Sequence, residues 1–409
     1  MVPKQSVSGK ILTVLKRISV FLMFMLVYAD GLAQTKPNTD SAVIQVIYTS
    51  TDPVLAEAVS SFKSDSSSRF QFQWIDQSEL KTRLLEQKED EDMPEIIMAS
   101  EDLLGLHREV HFSAITANAF RQYVNADDQL LQSALSEDNQ IYGLPVVKGN
   151  HLVMYYQREF VQTVASSWHE LLGQRYSVDP NVELVGWSVL DMYWLIPFIS
   201  AFGELPVQGN EIIFDVEGIA KSLTFVWNLI DKNVVDLNCD YNCTVDKFLQ
   251  GKLAYHINGV WEYERFKKQL GEQLGVAPLP SINGKPMQPY YANIYLMFPR
   301  KSLTGPHADA IQQFIAYTKS TRFNALLKNS MSSFSLNREA LKAREAAVDE
   351  NVDRKFIQDS LENAYPMPHH QDMFLVWEAM LNGFVRYGGG SIEDYQAAGY
   401  MQNYVDNNQ

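Results

Sequence analysis

His107 and His111 stand four residues apart in His107-Arg108-Glu109-Val110-His111. A zinc hydrolase needs its glutamate directly after the first histidine, where this chain has Arg108, so the segment reads as a solvated helix face. His369-His370 lies in a Pro-flanked loop without paired cysteines, and no metal site is assigned to it. Ser60-Ser61-Phe62-Lys63 satisfies Ser-x-x-Lys but lacks the companion Ser-Asp-Asn and Lys-Thr-Gly motifs of the serine lactamases. Ser188, in Gly186-Trp187-Ser188-Val189-Leu190, lacks the closing glycine of a nucleophile elbow. Gly388-Gly389-Gly390 follows no strand and reads as a hinge or loop, not a phosphate cradle. What remains is aromatic. Trp261 follows a predicted turn at Asn258-Gly259, where a strand (Leu253 to Ile257) gives way to a helix. That is the rim of an α/β sheet, where ligands bind.

The elements around it follow from periodicity and punctuation. Ala42 to Tyr48 is a nearly continuous apolar run, the signature of a buried parallel strand. Pro53 opens a helix to Phe62, Phe70 to Ile75 is the next strand, a helix covers Glu79 to Gln87, and Pro94 to Met98 is a third strand. This β-α-β-α-β order predicts a parallel sheet with helices on both faces. Ile141 to Val147 and Leu152 to Tyr156 read as two strands separated by Lys148-Gly149-Asn150. Val216 to Lys232 carries Leu223, Val226, Trp227 and Ile230 on one helical stripe. A helix ends at Gly251, a strand follows at Leu274 to Ala277, and Asn283-Gly284 makes a hairpin turn. Tyr290 to Met297 is a strand, Ala308 to Thr318 an amphipathic helix, Ser332 to Asn337 a crossing segment, and Phe356 to Asn363 and Met373 to Phe384 are helices.

Lys4, Lys10, Lys16 and Arg17 precede an apolar stretch from Ile18 to Ala29, shorter than the roughly 20 residues that cross a bilayer. With the small residues Gly31-Leu32-Ala33, this predicts a signal peptide over residues 1–33, cleaved after Ala33. Its removal takes four basic residues and Asp30, leaving 30 basic against 48 acidic residues and a net charge of −18. Such a surface repels nucleic acid and anionic membrane. The mature length exceeds one typical core and suggests two lobes. Cys239 and Cys243 are the chain's two cysteines. In an oxidising compartment, four apart at a helix start, they predict a small disulfide loop.

The stretch from Lys247 to Tyr290, with Lys247-Phe248-Leu249-Gln250-Gly251-Lys252-Leu253-Ala254 leading into Asn258-Gly259-Val260-Trp261, resembles the maltose-binding proteins and, more broadly, the extracellular solute-binding proteins of sugar ABC importers. The resemblance is clearest over Tyr142 to Tyr156, Leu190 to Pro289 and Tyr365 to Met380. It implies an α/β, two-lobed periplasmic binding protein (type II-like) with a ligand cleft between the lobes. Residues 42–147 and 297–335 would form the first lobe, and 148–296 and 336–409 the second. It implies no catalysis, no cofactor and no metal, and a monomer that hands a carbohydrate ligand to ABC permease membrane subunits. A ligand sensor that signals to a membrane receptor is the alternative on the same fold.

The resemblance also implies the site. Trp261, Tyr193 (in Asp191-Met192-Tyr193-Trp194) and Trp377 (in Trp377-Glu378-Ala379-Met380) match sugar-stacking aromatics, and Tyr241 matches a fourth. A pyranose offers an apolar C–H face to such rings and a polar edge to carboxylates. Asp191 and Asp102 match family carboxylates that bond sugar hydroxyls, and Asp52 survives from an Asp-Lys pair. The first lobe departs from the pattern. Ala99 stands where the family has Trp, Leu103 where it has Arg, and the carboxylate near Gly149 is gone. This implies a smaller or differently decorated glycoside than maltodextrin.

Overall fold

The structure, a computed structural model, describes residues 43–409 apart from 66–67, 87–92, 125–133, 137, 209–210, 337–351, 369 and 371. The signal segment, the end of the crossing at Asn337 and His369 lie outside the described residues.

Strand β1 (Val43–Tyr48) is followed by α1 (Pro53–Ser60), β2 (Arg69–Trp74), α2 (Gln77–Glu86) and β3 (Ile96–Ser100). Pro53 at the first turn of α1 has no N–H to lose, and Asp52 caps it by accepting from Val54 N at 2.9 Å. β1 pairs parallel with both β2 and β3. Successive side chains of β1 enter different cores. Ile44 and Val46 join Leu55, Ile96, Met98, Leu296 and Phe314, while Ile47 joins Leu80, Leu84, Ile97 and Met297. Helices cover both faces, which is why the run shows no polar alternation.

The second half is built on β4 (Gly143–Gln157), β5 (Glu183–Gly186), α3 (Val216–Asp231), α4 (Tyr241–Leu249), β6 (Leu253–Gly259), α5 (Tyr263–Leu270), β7 (Leu274–Ala277) and β8 (Tyr290–Met297). The chain ends with α6 (Ala308–Thr318), β9 (Ser333–Ser335), α7 (Val352–Glu362), β10 (Tyr365–Pro366), α8 (Met373–Gly388) and α9 (Asp394–Asn408). The sheet runs β2-β1-β3-β8-β4-β6-β5, with β7 and β9 also on β4 and β10 on β8. A second body of core gathers Met154, Val185, Trp187, Phe198, Leu223, Val376 and Met401 on one face, and Val153, Tyr155, Phe248, Leu253 and Phe266 on the other. The fold is two-lobed and α/β.

Four expectations are corrected. The two strands expected at 141–156 are one strand, β4, whose first part pairs with β8 and whose second part pairs with β6 and β7. Lys148-Gly149-Asn150 does not break it, because Gly149 takes φ 149° and Asn150 φ 53° while the pairing with β8 and β9 continues alongside. Asn258-Gly259 is not a turn. Gly259 is extended (φ −74°, ψ 153°) and pairs with Leu152. His107 and His111 share no solvated helix face: His107 is buried and stacks on Tyr142 at 4.2 Å, and His111 has φ 54°. The glycine run ends α8, with Gly390 at φ 69°. Helix α9 was not foreseen. Its apolar stripe is thin (Ala397, Ala398, Met401, Val405), and it starts with a capping box between Glu393 and Gln396.

Candidate functional site

Trp261 lies in a single 3-10 turn (Val260–Glu262) between the end of β6 and α5. Its indole rests on Gly259, where a Cβ would fall 2.1 Å from three ring carbons. Glycine is required there for space, since its backbone is ordinary β conformation. The indole N–H donates to Tyr241 Oη (2.8 Å), and the Tyr241 hydroxyl donates to Glu262 Oε1 (2.7 Å). Glu262 is fully buried, and burial raises its pKa against the pull of Tyr241 and Arg265. This relay fixes the plane of the indole. Behind it, the buried Trp194 meets Trp261 edge-on at 6.1 Å and Tyr241 at 6.0 Å. Tyr241 is therefore a support for Trp261 as well as a ring beside it.

Tyr193 stands between two tryptophans, 6.3 Å from Trp261 and 6.5 Å from Trp377. Trp377, on α8, also meets Tyr290 at 6.3 Å. All three of Trp261, Tyr193 and Trp377 are half-buried, so each keeps exposed ring surface. The structure brings them into one contiguous row.

Asp191 and Asp102 lie beside this row. Asp191 caps the turn that carries Tyr193, accepting from its backbone N at 3.0 Å. Asp191 is open to solvent, which tempers the effect, yet the walls around it push its pKa to about 6, with Asp102 and Asp76 adding to burial. Asp102, in the 3-10 turn that follows β3, accepts from Gln77 Nε2 at 3.0 and 3.2 Å, and its pKa is raised first by burial and further by Glu101.

Asp52 is not on the cleft wall. It is fully buried, and Oδ2 accepts from the hydroxyls of Ser330 (2.6 Å), Ser332 (2.8 Å) and Ser333 (2.6 Å) while Oδ1 caps α1. Every face of its carboxylate is committed, which removes it from the ligand set. Sequence reasoning also missed Lys81. On α2, its ammonium sits 2.8 Å from the centre of the Phe374 ring on α8, a cation–π contact from the first core to the second lobe's helix. Burial lowers the Lys81 pKa while Glu378 and Asp102 oppose that. Its only sequence signal was a charged residue in the helix after β2. Cys239 and Cys243 are joined in a disulfide, Cα atoms 5.2 Å apart, at the start of α4 beside Tyr241.

Among the described residues no group of three or more His, Cys, Asp or Glu could hold a metal ion, and no helix is long and apolar enough to cross a membrane. A wider, more open groove between Val216, Phe225 and Tyr395 contains none of the residues above. A row of aromatic faces bordered by carboxylates can hold a polyhydroxylated ring by its apolar face and its hydroxyl edge.

The sequence profile of the bacterial extracellular solute-binding proteins matches residues 57–351. The chain belongs to that family, whose members bind solutes outside the cytoplasm and are not enzymes. It is 22% identical over 312 residues to the maltooligosaccharide ABC transporter solute-binding lipoprotein of Streptococcus pneumoniae R6, covering 71% of this chain and 70% of that protein. It is 26% identical over 263 residues to the maltotriose-binding protein of Pyrococcus abyssi, 61% of this chain and 55% of the relative. The maltose/maltodextrin-binding domain MalE of Bdellovibrio bacteriovorus, solved with maltotriose, shares the fold at a TM-score of 0.78 and 21% identity, covering 90% of this chain and 99% of that one.

Proposed function

We propose that the protein is the sugar-capturing component of an ABC importer. The observation behind this reading is the row Trp261–Tyr193–Trp377 beside Asp191 and Asp102. In this reading, a sugar lies with its C–H face on the rings and its hydroxyls toward the two carboxylates. The first lobe, residues 42–147 with 297–335, closes over it by bending near Gly149. The closed form then docks on the permease subunits. The named specificities of the relatives from Streptococcus pneumoniae and Pyrococcus abyssi support an α-linked glucose oligomer as the first candidate. The reduced set of first-lobe polar groups, with Asp52 internal, favours a short ligand over a long maltodextrin.

The chain would reach the periplasm through a signal peptide cleaved after Ala33 and act as a monomer. Mass spectrometry of the exported protein should find Gln34 at its N-terminus, and an intact Met1 chain in the membrane would count against it. The function is tested by titration calorimetry of the mature protein against glucose, maltose, maltotriose and cellobiose. Micromolar or tighter binding of at least one is expected, and absence of binding to all four would sink the reading.

A further inference from the structure

Beyond Asp102, away from the aromatic row, the two lobes enclose a small pocket between Glu101, Asp102, His107 and Tyr142 on one side and Pro368 and His370 on the other. His107 is 4% exposed. Its Nδ1 donates to the Leu104 carbonyl oxygen at 3.0 Å, so in the neutral ring Nε2 is the acceptor. Nε2 is buried and has no hydrogen-bond partner among the described residues. A buried acceptor without a protein partner calls for an explanation.

The neighbouring groups sharpen the chemistry. Glu101 is already committed, accepting from Asn293 N at 3.0 Å and from Asn293 Nδ2 at 3.1 Å. Asp102 is also committed, accepting from Gln77 and Ser100. Tyr142 covers the face of the imidazole, and its hydroxyl donates away to Asp138 at 2.5 Å. The pocket therefore presents one open acceptor, His107 Nε2, and needs a donor. It is too small for a sugar ring and has room for a hydroxyl or hydroxymethyl arm.

We infer that this pocket is a second subsite of the cleft, which takes one hydroxyl-bearing arm of the sugar, its O–H donated to His107 Nε2. The inference rests on the sugar-binding reading above and adds a residue that discriminates between ligands. A ligand that lacks the hydroxyl leaves Nε2 unpaired in the closed form, so the site selects against it. Because Pro368 and His370 come from the opposite lobe, the subsite is complete only when the lobes are together.

The test is calorimetric titration of the mature protein with maltose, maltotriose and their mono-deoxy analogues, in the wild type and in His107→Phe. Phenylalanine keeps the stack on Tyr142 and removes the acceptor. The expected result is one deoxy analogue bound roughly tenfold more weakly by the wild type, with His107→Phe weakening the parent sugar by the same factor and that analogue no further. Equal affinity of the wild type and His107→Phe for the parent sugar overturns the subsite and leaves the sugar-binding reading intact. No binding of either parent sugar to the wild type overturns the subsite, and the sugar-binding reading falls with it only if glucose and cellobiose also fail to bind. If His107→Phe does not fold, ¹⁵N-imidazole spectra of the wild type decide. The Nε2 resonance of His107 should move upfield on saturation with the parent sugar, and an unmoved resonance overturns the subsite.

Discussion

The hydroxyl of Tyr193 sits 2.6 Å from the carbonyl oxygen of Asn150, and 2.7 Å from that of Tyr290. Those carbonyls belong to β4 and β8, the two long strands shared between the halves. The middle ring of the row is thus tied to the strands that run between the lobes. Tyr193→Phe should cost about 1 kcal/mol of stability through the lost hydrogen bond and leave sugar affinity within a few-fold. Tyr193→Ala should weaken binding about tenfold or more through the lost ring face. Urea unfolding and titration on both variants separate the anchor from the stack.

Gly259→Ala is expected to act entirely through Trp261. The added methyl would stand 2.1 Å from the indole, so the ring must leave its seat, while the extended backbone at 259 accepts alanine. Sugar affinity should fall at least as far as in Trp261→Ala, about tenfold or more, with an altered tryptophan emission spectrum. Unchanged affinity in both variants would show that the indole does not touch the ligand.

Asp52→Ala should do the reverse. It removes a helix cap and the acceptor shared by three buried serine hydroxyls, at a cost of about 3 kcal/mol. Affinity, measured well below the lowered melting temperature, should stay within a few-fold of wild type. A large loss of binding with stability intact would return Asp52 to the ligand set.

Burial holds His151 and His256 neutral and lowers the pKa of each to about 3, from an ordinary 6.5. Nδ1 of His256 bonds the Gly186 carbonyl oxygen, and its Nε2 accepts from Asn258. Between those two values the two histidines bind more protons in the unfolded chain than in the folded one, so their contribution to stability is whole above about pH 6.5 and declines as pH falls toward 3, while the raised carboxyls Asp191, Asp102 and Glu262 act in the opposite sense below their folded pKa. Relative to wild type, His256→Gln should gain stability as pH is lowered from about 7 to 5, read as the difference between the two urea midpoints at each pH. A difference that stays constant over this range would contradict the buried neutral assignment.

The Cys239–Cys243 bridge closes a short loop, so its reduction should cost less than the roughly 3 kcal/mol expected of a 15-residue loop. A small fall in melting temperature with dithiothreitol is expected, and two thiols open to maleimide in denatured, unreduced protein would contradict the bond.

Features encoded locally were readable from the chain. β1, α3 and β8 announce themselves by nearly continuous apolar runs or a helical stripe, and Trp261, Tyr193 and Trp377 sit in local motifs of their own. Features set by distant partners were not. Asp52 looks like a loop carboxylate until serines some 280 positions later fold against it. His107 looks solvent-facing until Tyr142 covers it, and Lys148-Gly149-Asn150 looks like a break until β8 and β9 lie alongside. Helix α9 hid because only Ala397, Ala398, Met401 and Val405 are buried on it.

β4 serves both cores: Val146 and Val147 pack in the first, Val153, Met154 and Tyr155 in the second. No loop separates these two groups to let one core melt while the other persists. Fraying the first half of β4 strips partners from β8 and β9, and its second half loses the fixed end from which it pairs with β6 and β7. Heat should therefore be absorbed in one cooperative event, with the calorimetric and van't Hoff enthalpies equal despite the two-core architecture.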